Sequence, residues 1–168
     1  MSDFLPAFER MLANEGGYLL HKVAGDTGGL TYAGIARNKN PHWPGWAAID
    51  RGETPASQLV RLFYVEEFWR PVAGDAITHQ RVAENLFDFG VNAGPRTAVK
   101  LAQIIVGATP DGVAGPKTIA ALNAMDPELF VARYAIAKLA RYHGICQRDP
   151  VQRKFLMGWV ARTLKEAA

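Results

Sequence analysis

Five dipeptides in this chain set a cap-type residue or glycine directly before proline: Thr54-Pro55, Gly94-Pro95, Gly115-Pro116, Asp126-Pro127 and Asp149-Pro150. Proline holds φ near the helical value and has no N–H to leave unpaired, so it suits the first turn of a helix. Each dipeptide is followed by apolar residues at helical spacing. Leu59, Leu62 and Phe63 mark one stripe, Val82, Leu86 and Phe89 a second, Val99, Ala102 and Val106 a third, and Leu129, Ala132, Ile136 and Leu139 a fourth. An earlier helix is expected through Phe4, Leu5, Phe8, Met11 and Leu12, capped near Ser2 or Asp3 and stopped by Gly16-Gly17. Only the stretch from Tyr18 to Ile35 reads differently. It holds Gly25, Gly28, Gly29 and Gly34 among β-branched and aromatic residues, which predicts a loop with a short hairpin. The expected fold class is mainly α.

With 168 residues, about half of them apolar, the chain can fill one core, or one core carrying a small lobe, but not two full-sized domains. The sequence changes character near residues 90–95, from a glycine- and aromatic-rich part to plainer helices. This predicts two lobes, residues 1–92 and 93–168, sharing one core. A net charge of +3 favours polyanionic surroundings, but no run of five basic residues occurs, and nucleic acid is not an expected partner. Cys146 is the only cysteine, which excludes a disulfide framework and a multi-cysteine zinc site. His21, His42, His79 and His143 never fall at the spacing of paired ligands, so neither a metal nor an organic cofactor is expected. The start, Met-Ser-Asp-Phe-Leu-Pro, lacks a basic segment followed by a long apolar one, and no apolar run is long enough to span a bilayer. The expectation is a monomer made in the bacterial cytoplasm without a signal peptide and without stable membrane insertion.

Glu15 stands four residues after Met11 and three after Leu12, on the apolar stripe of the first helix and at its carboxyl end. Partial burial and the negative end of the helix dipole both favour a neutral carboxyl, so a raised pKa is expected. A carboxylic acid still protonated near neutrality is what glycosidic cleavage needs, because the departing sugar oxygen must receive a proton. A structural salt bridge is the alternative for Glu15. Gly16 and Gly17 permit a sharp turn, and Tyr18 offers a ring for a sugar face. Such chemistry requires a second polar group. Asp26, in the polar glycine-rich loop, is the candidate base or charge stabiliser, and Thr31 could position water. A turn role for Asp26 and a plain strand role for Thr31 remain open.

Taken together, Glu15-Gly16-Gly17-Tyr18 and the run from Asp26 to Ile35 (Asp-Thr-Gly-Gly-Leu-Thr-Tyr-Ala-Gly-Ile) resemble the opening of the glycoside hydrolase family 108 muramidases of phages and bacteria. Pro41-His42-Trp43-Pro44-Gly45-Trp46, and Tyr64, Phe68 and Trp69, resemble its continuation. Asp88-Phe89-Gly90-Val91-Asn92-Ala93-Gly94, Leu101-Ala102-Gln103 and the run from Asp111 to Thr118 resemble the peptidoglycan-binding lobe that such proteins carry. The resemblance implies a lysozyme-like helical fold and cleavage of the β-1,4 bond between N-acetylmuramic acid and N-acetylglucosamine. Glu15 matches the family's essential glutamate, and Glu15, Asp26 and Thr31 repeat the Glu, Asp, Thr order of phage-type lysozymes. Tyr18, Gly29 and Tyr32 are expected substrate contacts, and Asp88 and Asn92, one helical turn apart on one face, could line the cleft opposite Glu15 or form a helix-end polar pair. Ala33 stands where the family commonly has tyrosine. The implied partner is bacterial peptidoglycan, reached through a holin or a secretion apparatus. A non-catalytic wall-binding or phage structural module and a lytic transglycosylase stay as alternatives.

Overall fold

Helices begin close to where the proline dipeptides stand. The computed structural model describes residues 1–22 and 29–167 and divides into two compact units, Asp3–Arg70 and Met1–Ser2 with Pro71–Ala168.

In the first of these units, α1 spans Phe4–Asn14, and the Asp3 carboxylate accepts from the Leu5 N–H at 3.0 Å, which satisfies one of the free amides of the first turn. Ala7, Phe8, Met11 and Leu12 are its buried face, as the spacing predicts. Three short antiparallel strands follow in the order β1 (Leu20–Lys22), β2 (Leu30–Tyr32) and β3 (Ile35–Ala36). Thr31 lies opposite His21 on one side and Ala36 on the other. Helix α2 covers Trp46–Asp50, and α3 covers Ser57–Tyr64 before widening into a π-helical turn, Val65–Trp69. The rings of Phe4, Phe8, Tyr64, Phe68 and Trp69 meet at centroid distances of 5.4–5.7 Å and form the core of the unit. The buried row of α3 is Val60 and Tyr64, one position along from the expected stripe, and Leu62 is 53% exposed. Two apolar rows lie side by side on this helix. The one that packs carries Tyr64, whose hydroxyl finds a buried carbonyl.

The second unit is built from α4 (Gln80–Ala93), α5 (Pro95–Ile105), α6 (Pro116–Ala124), α7 (Pro127–Arg148) and α8 (Arg153–Ala167), with 3-10 turns at Gly74–Ala76 and Pro150–Gln152. Every residue of α4 from Val82 to Gly90 is buried. This helix packs with α5 and α7, so the division by packing falls before it, at Arg70–Pro71, whereas the sequence reading divides the chain after Asn92. On α7 the sequence reading picks the wrong row. Phe130, Tyr134, Lys138 and Tyr142 are buried, while Leu129 and Ile136 are 45% and 67% exposed. The aromatic row wins because it buries more area and finds partners: Tyr134 packs on Phe89 and Phe130 and donates to the Ala98 carbonyl at 3.0 Å. No helix among the described residues is long and apolar enough to cross a membrane.

Gln103, only 1% exposed, stitches α5 to the loop before α6. Its amide nitrogen lies 2.8–3.0 Å from Asp111 Oδ1, the Val113 carbonyl and Thr118 Oγ1, and its oxygen accepts from the Gly112 N–H at 2.9 Å. Gly112 is required there, since φ is +81° and a Cβ would lie 2.5 Å from Arg96 Cγ. Gln103→Ala strands these groups in a buried setting and is expected to cost ~2 kcal/mol, read as a lower midpoint in urea unfolding with an unchanged slope.

Candidate functional site

Helix α1 ends in a motif that fixes Glu15. The Gly17 N–H donates to the Leu12 carbonyl at 2.8 Å and the Gly16 N–H to the Ala13 carbonyl at 3.4 Å, with Gly16 at φ +88° and Gly17 at +76°. These paired bonds around a left-handed residue are a Schellman motif, with Glu15 as the last helical cap. A Cβ at Gly16 or Gly17 would touch nothing within 4 Å, so backbone conformation and not crowding demands glycine. The chain therefore leaves the helix immediately after Glu15, and the half-buried side chain stands at the turn.

A second turn comes up against it. Tyr32 pairs with Ile35 across a two-residue hairpin loop, Ala33-Gly34, with φ of +48° and +80°. Two successive positive φ values are what a tight hairpin between twisted strands requires. A Cβ built on Gly34 would lie 3.6 Å from Glu15 Cγ and 2.5 Å from Tyr64 Oη, and that hydroxyl donates to the Ala33 carbonyl at 2.9 Å. Tyr64 is buried and held by Phe8 and Phe68, so it cannot swing aside cheaply. Glu15 is thus framed by the end of α1 and by the β2–β3 turn. Tyr64 was visible to sequence reasoning only as part of a familiar aromatic run, and its role as the anchor of that turn was missed.

Gly34→Ala is expected to cost ~2–3 kcal/mol, combining left-handed strain with overpacking against Tyr64. Thermal unfolding checks it. Adding Tyr64→Phe to Gly34→Ala removes the clashing oxygen, and the double variant should regain part of the lost stability, a sign that the clash and not φ alone is at work.

The other expected site residues distribute as follows. Tyr18 is 42% exposed, and its ring lies 6.3 Å from that of Tyr32. Tyr32 is 4% exposed and stacks at 6.1 Å on Trp43, so it backs Tyr18 with little surface of its own. Thr31 is half-buried in the middle strand, and strand alternation puts it on the face opposite to Tyr32. Gly29 has φ +71°, and a Cβ there would press on the Asn38 amide at 2.9 Å. Asp26 lies outside the described residues.

In the second unit Asp88 belongs to a largely buried ion cluster, and Asn92 meets the same arginine from an exposed position. Arg162 donates to both Asp88 oxygens at 2.8 and 2.9 Å, and the Asn92 amide oxygen, turned towards Arg162, accepts at 2.9 Å. Lys138 pairs with Glu166 and reaches Asn85 Oδ1 at 3.2 Å. Burial works to raise Asp88, but hydrogen bonds from Glu166 and Arg162 bring it below its ordinary value. Glu166 is pushed up to about 7, first by burial and then by the hydrogen bond and charge of Asp88. Because the folded value of Glu166 exceeds its unfolded one, its contribution to stability is complete below 4.5 and is lost as pH rises through about 7. Asp88, being depressed, contributes above 3.8 and loses its contribution as pH falls through its folded value. Stability should therefore decline by ~2–3 kcal/mol between about pH 5 and pH 8, and Glu166→Gln should flatten that decline in denaturant titrations.

With this geometry in hand, comparison with known families is decisive. Residues 8–94, more than half of the chain, match the model described as Glycosyl hydrolase 108. The chain belongs to the glycosyl hydrolase 108 family. A second match, Predicted Peptidoglycan domain, covers residues 97–164. The solved structure of Brucella abortus SagA is similar to this glycosyl hydrolase 108 protein over 98% of this chain and 91% of that chain, at 27% identity and a TM-score of 0.74. No curated protein sequence matches the chain. The mainly helical, lysozyme-like fold with a hairpin near its start is thus established, and the two matched regions make this family member a peptidoglycan hydrolase.

Proposed function

We propose that the protein is an N-acetylmuramidase that hydrolyses the β-1,4 bond between N-acetylmuramic acid and N-acetylglucosamine, with Glu15 as general acid. The observation that carries this reading is the framing of Glu15, a half-buried residue whose backbone is set by the Schellman turn and whose Cβ and Cγ lie against the Ala33-Gly34 hairpin. A proton donor must be held within hydrogen-bonding reach of the departing oxygen while the bond lengthens, and a carboxyl on a rigid helix end suits that task. Glu15 passes its proton to the glycosidic oxygen of the leaving sugar. Asp26 then stabilises positive charge at the anomeric carbon or activates water, and Thr31 orients that water. The half-exposed Tyr18 ring offers a stacking face to a sugar, with Tyr32 and Gly29 shaping the wall behind it.

In this reading residues 1–92 cut the glycan and residues 93–168 hold the wall. The protein acts at the cell wall as a monomer without a cofactor, delivered there by a holin or a secretion apparatus. Digesting purified peptidoglycan in 18O-labelled water, followed at once by borohydride reduction and mass spectrometry, tests the bond and the reaction type. A muramidase places one heavy oxygen on muramic acid ends. Anhydro-muramic ends without label would identify a transglycosylase, and label on glucosamine ends would identify cleavage of the other glycosidic bond.

A further inference from the structure

Beside the site, in the same unit, lies a cavity of about 370 Å³ that the glycan reading leaves unused. One wall is the loop Lys39–Pro44, and the other is formed by α3 and the π-helical turn. Its floor is apolar, made by Trp43, Pro44, Leu59 and Phe63. Its rim is polar, with Lys39 and the His42 imidazole on the loop side and Glu66 and Glu67 on the helical side. Arg70 already neutralises Glu66 at 2.5 Å. The side chains of Lys39, His42 and Glu67 engage no hydrogen-bond or ion-pair partner among the described residues.

An apolar slot with an anion at one edge and a lysine ammonium beside an imidazole at the other fits an aliphatic chain ending in ammonium, with a carboxylate nearer its root. The π-helical widening at Val65–Trp69 sets Glu66 and Glu67 on the rim, and such bulges recur where helices serve a site. The position relative to Glu15 is also specific. Trp43, on the cavity floor, stacks on Tyr32 at 6.1 Å, and Tyr32 lies 6.3 Å from Tyr18, three residues after Glu15. Three residues of extended peptide reach ~10 Å, and the long side chain of the third carries its ammonium further, a span of the order of these two ring steps.

We propose that this cavity binds the peptide stem attached to the muramic acid, taking the side-chain ammonium of its diamino acid at Glu67 and stem carboxylates at Lys39 and His42. This rests on the muramidase reading for which sugar lies at Glu15, and it adds that the enzyme recognises the stem as well as the glycan. Lysine and diaminopimelate both bring the required ammonium. They differ in that diaminopimelate has a second carboxylate beside it, close to Glu66.

The test titrates the full chain with three synthetic tripeptides, L-Ala-γ-D-Glu followed by L-Lys, by meso-diaminopimelate or by L-Ala, and follows the Trp43 indole by NMR. At least one amine-bearing peptide should bind about tenfold more tightly than the alanine peptide, as expected for a charge-assisted hydrogen bond. Glu67→Gln should erase that difference, and Lys39→Met should weaken all three peptides. Both residues are exposed and their side chains hold no hydrogen-bond or ion-pair partner among the described residues, so the variants should fold as the parent does. Equal binding of the three peptides, saturation unaltered by Glu67→Gln, or no saturable shift at Trp43 would overturn the proposal. Because the peptides contain no glycosidic bond, this outcome stands apart from whether Glu15 is the acid.

Discussion

Glu15→Gln is expected to lower the rate of glycan cleavage by roughly 10²–10⁴-fold, the range that a positioned proton donor contributes. Glutamine has the same shape and can still hydrogen-bond, but it cannot release a proton to the departing oxygen. The bonds that close α1 run from the backbone N–H groups of Glu15, Gly16 and Gly17 to the Met11, Ala13 and Leu12 carbonyls, and the substitution changes none of these backbone groups. The unfolding midpoint should therefore stay close to that of the wild type, within the ~0.5 kcal/mol typical of partly exposed positions. Glu15→Asp adds a separate check. It retains the acid but withdraws it by one methylene, so it should recover part of the rate only if reach and protonation both matter. A salt bridge serving the fold would produce the opposite pattern, with stability lost in Glu15→Gln and turnover little changed.

Lys138→Ala should be the most damaging single change to stability, at ~3–5 kcal/mol. Lys138 is 1% exposed, pairs with Glu166, reaches Asn85 and lies 5.0 Å over the Tyr134 ring and 5.6 Å over that of Phe89. Removing it opens a cavity among aromatic rings and leaves a buried carboxyl without its closest cation. Lys138→Met keeps the volume, which isolates the electrostatic part, and the double variant Lys138→Met with Glu166→Gln removes both partners. The double variant should be more stable than Lys138→Met alone, because a buried pair exchanged for neutral groups costs less than half a pair left behind. Chemical denaturation of wild type, Lys138→Met, Glu166→Gln and the double variant at about pH 7.5 reads this directly, and additive losses would show that the two side chains do not support one another.

Local codes were the legible part of this chain. Asp3 at the start of α1, Gly16-Gly17 at its end and the proline dipeptides before α5, α6 and α7 each state a backbone requirement within four or five residues, and each is met. The hairpin was legible for the same reason, since Gly34 supplies one of its two positive φ values. Ala33 supplies the other against its preference, in a position where Tyr64 holds its carbonyl. What could not be read is what depends on distant partners. On α7 two apolar rows compete, and choosing the row with Lys138 makes sense only once Glu166 and Asn85, 28 and 53 residues away in sequence, are known to meet it. The pairing of Asp88 with Arg162 spans 74 residues and leaves no local signal. Spacing placed Asp88 and Asn92 on one helical face, and the guanidinium they share was invisible. Asp26 lies outside the described residues, so Glu15 is the member of the expected acid and base pair whose surroundings can be argued from structure.

The most direct test of the account is release of soluble muropeptides from purified peptidoglycan by wild type and Glu15→Gln side by side, after circular dichroism has shown both to be folded. The account predicts reducing muramic acid ends from the wild type and a loss of at least a hundredfold in the variant. Equal release by the two proteins would contradict the role given to Glu15, and no release by the wild type would contradict the muramidase reading itself.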